Sequence, residues 1–133
     1  MHKIEHIAIA VKSLAVSVPL FEKLLGSSCY KIEEVASESV NTAFFHTGES
    51  KIELLEGTDP NGVISTFIAK KGEGLHHIAF GVDNLVEKIA SLKNEGFEFI
   101  NEVPKKGADN KMIVFLHPKC TNGVLVELCE EIR

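Results

Sequence analysis

The chain has 133 residues, enough for one domain with a hydrophobic core, and its net charge of −5 includes no basic block. This balance excludes an extended nucleic-acid surface, and no apolar run reaches the length of a membrane span. The cysteines Cys29, Cys120 and Cys129 form no Cys-x-x-Cys pair, and the N-terminus has no signal-peptide core. We therefore expect reduced thiols and a cytoplasmic protein.

A strand and a helix are the first predicted elements. Alternating apolar residues predict a strand over 4–11, and apolar residues at helical spacing predict a helix over 14–25 with Ser13 as its N-cap. Pro19 removes a backbone donor and clashes with the preceding turn. Two alternatives stay open: a helix that begins late, with Ser17 as its cap, or a helix that is kinked.

The order of the remaining elements repeats along the chain. Three strands and a short helix follow, near 29–35, 40–47, 51–56 and 63–70. A second strand and helix are predicted over 76–82 and 84–95, with Asp83 as the N-cap. Three more strands complete the series, near 97–102, 112–117 and 124–130. The order of strand, helix and three strands therefore occurs twice.

Two short motifs also occur twice. The tripeptide His-Ile-Ala stands at 6–8 and again at 77–79, and the apolar segment around Glu53 at 52–56 matches the one around Glu127 at 126–130. The offsets are 71 and 74 residues. Two matches in the same order at nearly the same offset indicate an internal repeat.

Strand parity places one histidine and one glutamate of each repeat away from the apolar face. Because side chains alternate along a strand, His6 and His77 lie opposite the apolar residues, on faces with only Ala or Gly beside them. Glu53 and Glu127 lie opposite the apolar residues of their strands and are costly to bury unless paired or bound to a cation. A lone histidine or glutamate here would ordinarily be structural or solvated. Two histidines and two glutamates at equivalent positions of the repeat predict a site for a divalent ion such as Co, Zn, Ni, Fe or Mn.

Three other histidines are further candidates for metal ligands. His76 precedes His77, but repeat alignment and parity favour His77, so His76 is interpreted as a polar neighbour. His46 and His117 occupy equivalent positions just before turns. We expect these two to face the loops.

Four stretches of this chain carry a family resemblance: 4–12, 51–56, 72–80 and, most specifically, 115–130. In them the chain resembles the vicinal oxygen chelate superfamily and, within it, the methylmalonyl-CoA epimerases. The resemblance implies an α+β fold of two tandem βαβββ modules that form a curved mixed sheet around a metal-binding cleft. One domain would then cover 1–133, with modules over about 1–72 and 73–133.

The resemblance also implies roles for single residues. His6, His77 and Glu127 would bind the metal, and Glu53, at a position where the family has Glu or Gln, would complete the site. The family often carries a glutamate followed shortly by a glycine as a candidate base. In this chain that region has Glu38 as its nearest carboxylate, and the glycine is missing. Glu127 and Glu38 are therefore the expected acid/base residues.

The implied reaction is inversion of the acidic carbon of methylmalonyl-CoA through an enolate. Removing a proton from one face and returning it on the other requires two acid/base groups. The expected partners are an acyl-CoA substrate and a second copy in a homodimer, with no nucleic acid and no membrane. The alternatives are a glyoxalase I that acts on a glutathione hemithioacetal, and a non-catalytic ligand-binding module of the same fold.

Overall fold

The computed structural model describes residues 1–133 and contains eight strands and three helices. In chain order they are β1 (Lys3–Ala10), α1 (Leu14–Leu25), β2 (Lys31–Val35), β3 (Val40–Thr47), β4 (Ser50–Gly57), α2 (Val63–Lys71), β5 (Gly74–Gly81), α3 (Leu85–Asn94), β6 (Lys105–Lys106), β7 (Lys111–Phe115) and β8 (Val126–Glu131). The α+β class and the doubled order of strand, helix and three strands are confirmed. The longest helix has 12 residues, and none combines the length and apolarity needed to cross a bilayer.

The chain divides into two compact units with the same strand pattern. The N-terminal unit is His6–His76, and the C-terminal unit is Met1–Glu5 together with His77–Arg133. In the first, the strand order is β2-β3-β4-β1, with β1 parallel to β4 and the other pairs antiparallel. In the second, the order is β5-β8-β7-β6, with β5 parallel to β8 and the other pairs antiparallel. The repeated pairing is the structural counterpart of the sequence repeat.

In each unit, a helix covers one face of the strands and leaves the other face for polar residues. Leu14 of α1 packs in a core with Phe45 and Leu54 of the N-terminal unit. Leu85 and Ile89 of α3 pack in the core of the C-terminal unit, whose other buried members are Val82, Val114, Leu116, Val126 and Leu128. Because side chains alternate on a strand, the neighbours of these core residues point to the opposite face.

A glutamate near the end of a strand caps the first helix of each unit, α1 in the N-terminal unit and α3 in the C-terminal unit. Glu56 Oε1 accepts the Leu14 N–H at 3.0 Å, and Glu130 Oε1 accepts the Leu85 N–H at 2.7 Å. Each carboxylate satisfies a backbone donor that the first turn leaves unpaired and places negative charge at the positive end of the helix. The two caps occupy equivalent positions in the repeat.

The helix α1 begins at Leu14 and continues through Pro19 to Leu25. The Ser13 side chain accepts the Val16 N–H at 3.4 Å, so the predicted N-cap is confirmed. The alternative start is wrong, because Ser17 is buried inside the helix.

Two predictions for the C-terminal unit are wrong. Asn84, not Asp83, caps α3, because the Asn84 side chain accepts the Glu87 N–H at 3.1 Å. The segment 97–102 forms one isolated bridge instead of a strand, and β6 at Lys105–Lys106 pairs with β7. The Asn101 side chain accepts the Val103 N–H at 3.0 Å, and such a local turn competes with strand pairing.

Candidate metal and active site

A buried pair of imidazole and carboxylate lies on the polar face of the N-terminal unit. His6 on β1 and Glu53 on β4 are separated by 3.1 Å between Nδ1 and Oε2, and their side chains are only 6% and 5% exposed. Ala8 lies directly opposite Glu53 in the parallel register. Its small side chain leaves space beside the carboxylate.

The C-terminal unit contains the equivalent pair. His77 Nε2 on β5 lies 3.1 Å from Glu127 Oε1 on β8, and the two side chains are 7% and 6% exposed. Ala79 lies directly opposite Glu127, as Ala8 does opposite Glu53. Within each unit, the structure therefore brings together the histidine and the glutamate that strand parity selected.

A phenylalanine flanks each glutamate on the neighbouring antiparallel strand, and sequence analysis missed both. Phe44 lies opposite Glu53, and Phe115 lies opposite Glu127. The Phe115 ring meets the His77 ring edge to face, with centroids 5.3 Å apart, and so restricts the imidazole orientation. The two phenylalanines are 71 residues apart, as are His6 and His77. This shared spacing is the sequence signal that relates the phenylalanines to the repeat.

The donor set fits a divalent metal ion. Donor atoms about 2.1 Å from one ion lie about 3.0 Å apart along an octahedral edge and about 3.4 Å apart along a tetrahedral edge. Both measured separations of nitrogen and oxygen, 3.1 Å, fall in this interval. Imidazole with carboxylate suits first-row transition ions, and the members of both pairs are candidate metal ligands.

The predicted second base lies in a short 3₁₀ turn, Ala36–Glu38. Glu38 is half-buried, and its Oε1 atom is buried. Ser39, which follows it, has φ 55°, a left-handed conformation that glycine adopts most easily. A serine therefore occupies the kind of backbone position that a glycine would fill.

The other histidines make contacts outside these pairs. His46 is exposed and stacks on Tyr30, with ring centroids 4.0 Å apart. His117 is exposed, and its Nδ1 accepts the Lys119 N–H at 3.2 Å. His76 meets Phe67 edge to face at 4.9 Å. The prediction that His46 and His117 face loops agrees with their exposure.

One buried cation on the polar face was also missed. Lys51 is 6% exposed and pairs in register with His6, and its ammonium group lies 5.8 Å from the centre of the Phe44 ring. A lysine at the start of a strand is ordinarily solvated, so its sequence position gave no signal.

The duplicated strand pattern and the buried pairs define a known class of protein. The chain matches the Glyoxalase/Bleomycin resistance protein/Dioxygenase superfamily over residues 5–115, and it belongs to that superfamily. The superfamily resemblance is therefore confirmed.

Comparison with individual proteins shows which members of this superfamily the chain is similar to. The chain is 42% identical over 130 residues to the uncharacterized protein YqjC of Bacillus subtilis, covering 98% of this chain and 93% of that one. It is 37% identical over 130 residues to the mitochondrial methylmalonyl-CoA epimerase of Dictyostelium discoideum, covering 97% of this chain and 78% of the relative. A solved structure of a Streptomyces coelicolor methylmalonyl-CoA epimerase variant with 2-nitronate-propionyl-CoA matches with a TM-score of 0.90 at 32% identity, covering 97% of this chain and 94% of that one.

Proposed function

We propose that this protein is a metal-dependent methylmalonyl-CoA epimerase, an isomerase that inverts C2 of its substrate. The observation that carries the proposal is the pair of buried imidazole–carboxylate contacts at equivalent positions of the two units. The similarity to epimerases over nearly the whole chain supports the choice of substrate.

The proposed ligands of one divalent ion are His6, Glu53, His77 and Glu127. A bound ion would supply Lewis-acid stabilisation of the negative charge that develops when C2 loses its proton. The candidate ions are Co, Zn, Ni and Mn, because this set of nitrogen and oxygen donors suits them.

Two carboxylates carry the proton in the proposed mechanism. Epimerisation removes the proton from one face of C2 and returns a proton to the other face, so each face requires an acid/base group. Glu127, held 3.1 Å from His77, is assigned to one face. Glu38, with its buried Oε1 atom, is assigned to the other.

The aromatic side chains next to the glutamates lower the local polarity. Phe44 is completely buried opposite Glu53, and the Phe115 ring packs against His77. Charge stabilisation is stronger in such a water-poor environment than in bulk solvent.

Solvent isotope exchange tests the proposed function. Protein loaded with Co(II) is incubated with methylmalonyl-CoA in D₂O, and deuterium at C2 is measured by mass spectrometry. We expect exchange well above the rate without protein. Propionyl-CoA, which lacks the second carboxyl group that acidifies this carbon, serves as the control and should not exchange. Fully loaded protein without exchange on methylmalonyl-CoA would contradict the proposal, and turnover of the methylglyoxal–glutathione hemithioacetal would favour a glyoxalase.

A further inference from the structure

Lys51 is a buried cation on the polar face of the N-terminal unit that the proposed mechanism does not use. It lies two residues before Glu53 on β4, so the two side chains share a face. In register it is opposite His6 of β1. Lysine is almost never fully buried without a charge to balance it, and Lys51 is only 6% exposed. Its place beside the proposed ligands therefore suggests a role in binding an anionic group.

The side chain of Lys51 leans along the polar face toward Glu53. Its direct partner on the antiparallel strand β3 is His46, whereas Phe44 is the direct partner of Glu53. The Lys51 Nζ atom nevertheless lies 5.8 Å from the centre of the Phe44 ring. This contact is diagonal across the two strands, and long side chains have the reach to make it. The ammonium group is therefore directed toward the end of the face where Glu53 lies.

The formal charges of the proposed site indicate what the ammonium group would face once an ion is bound. The two carboxylates among the proposed ligands, Glu53 and Glu127, balance the two positive charges of a divalent ion. The other buried carboxylate, Glu5, is matched by Lys111, whose Nζ lies 3.9 Å from it. Lys51 then adds one positive charge to an otherwise neutral set. A buried site with this excess favours a group of one negative charge on the bound molecule.

We propose that Lys51 binds the free carboxylate of a malonyl-type acyl thioester and so selects carboxylated acyl-CoA over plain acyl-CoA. The proposal rests on the proposed function and names the residue that recognises the second carboxyl group of the substrate. An ammonium group donates a charge-assisted hydrogen bond to a carboxylate, and a site that is largely shielded from water strengthens this bond. Propionyl-CoA, which lacks the carboxylate, offers the ammonium group no anion.

Lys31 provides a matched control on the same aromatic ring. Its Nζ lies 4.8 Å from the centre of the Phe44 ring. Its side chain is 38% exposed, and Nζ lies 3.5 Å from Glu33 Oε1. Solvent screens an exposed ion pair of this kind, so its charge contributes little. The two lysines therefore share a ring contact and differ in burial.

Isothermal titration calorimetry with two CoA esters tests the assignment on Co(II)-loaded protein. The wild type should bind methylmalonyl-CoA more tightly than propionyl-CoA. Lys51→Met removes the charge and should bind methylmalonyl-CoA about 10- to 100-fold more weakly, the usual effect of losing a hydrogen bond to a charged group. Its affinity for propionyl-CoA should not change, and Lys31→Met should bind both esters as the wild type does. If Lys51→Met does not fold, Lys51→Gln carries the same expectation.

Three results would overturn the assignment: an unchanged ratio of the two affinities in Lys51→Met, an equal loss for both esters, or a wild type without preference for methylmalonyl-CoA. Lys51→Met should also bind Co(II) at least as tightly as the wild type, because a positive charge near the ion is removed. Loss of Co(II) binding would instead show a structural role for the lysine. Binding requires no turnover, so a shifted ratio without deuterium exchange at C2 would refute the epimerase and support the role of Lys51. Exchange with an unchanged ratio would do the reverse.

Discussion

Glu53 and Glu127 are almost completely buried, and each lies 3.1 Å from a histidine nitrogen. Burying an unpaired carboxylate is costly, so a strand with a central glutamate indicates a partner or a bound cation. This reasoning identified all four members of the two pairs from sequence alone. It missed Phe44, Phe115 and Lys51 because contacts across strands depend on register, which a single sequence does not reveal.

The histidines provide a test of the metal ligands with matched controls. His6→Ala and His77→Ala should each weaken Co(II) binding at least about 100-fold, because each removes one nitrogen donor. His46→Ala and His117→Ala, which alter exposed histidines at equivalent repeat positions, should bind Co(II) as the wild type does. Isothermal titration calorimetry measures the four affinities. The ligand assignment is wrong if all four variants bind equally well.

Glu38 is one of the two proposed proton carriers, and a conservative variant tests it. Glu38→Gln should lower kcat for epimerisation by about 10²- to 10⁴-fold, the usual contribution of a general acid/base group. Its Co(II) affinity should not change. Glu34→Gln, on the exposed side of β2, is the control and should retain kcat. Equal kcat values in the two variants would remove Glu38 from the mechanism.

At the scale of single elements, local chemistry predicted most helices and strands. Apolar spacing and the Ser13 cap specified α1 well enough to outweigh Pro19. The segment 97–102 has the composition of a strand, but the Asn101 side chain accepts the Val103 N–H, which a continuing ladder would need. Helix caps such as that of Glu56 could not be predicted, because they join residues that are 42 positions apart.

Glu56→Ala and Glu130→Ala should each lower the free energy of unfolding by about 1–2 kcal/mol, because each leaves a helix N–H without its acceptor. Urea denaturation measures the loss. The double variant should lose about the sum, within about 0.5 kcal/mol, because the two caps share no partner. A full loss in Glu56→Gln, which keeps a carbonyl acceptor at this position, would argue against the hydrogen bond as the cause.

At the scale of the whole molecule, the duplication was the most predictable feature. Two matched motifs indicated it, and the two units have the same strand order and helix cap. The single domain over 1–133, the homodimer and the cytoplasmic location stay predictions.

Metal binding should raise the stability of the folded chain. An ion that binds only the folded state adds about 2.7 kcal/mol to the free energy of unfolding at a concentration of about 100 times its Kd. Thermal denaturation with and without Co(II) measures this gain, which EDTA should reverse. In His77→Ala the gain should fall to about 0.4 kcal/mol or less at the same Co(II) concentration, because the ion binds at least about 100-fold more weakly. An equal gain in that variant would indicate binding elsewhere on the protein.

In each unit, one strand carries a proposed metal ligand and, three residues later, the cap of a helix. Glu53 and Glu56 lie on β4, and Glu127 and Glu130 lie on β8. The amide protons of Leu14 and Leu85 are hydrogen-bonded to these caps. Each cap lies three residues from a proposed ligand on the same strand. These amide protons offer two separate spectroscopic reporters, one for each half of the duplicated site, that follow occupancy without any label placed at the ligands themselves.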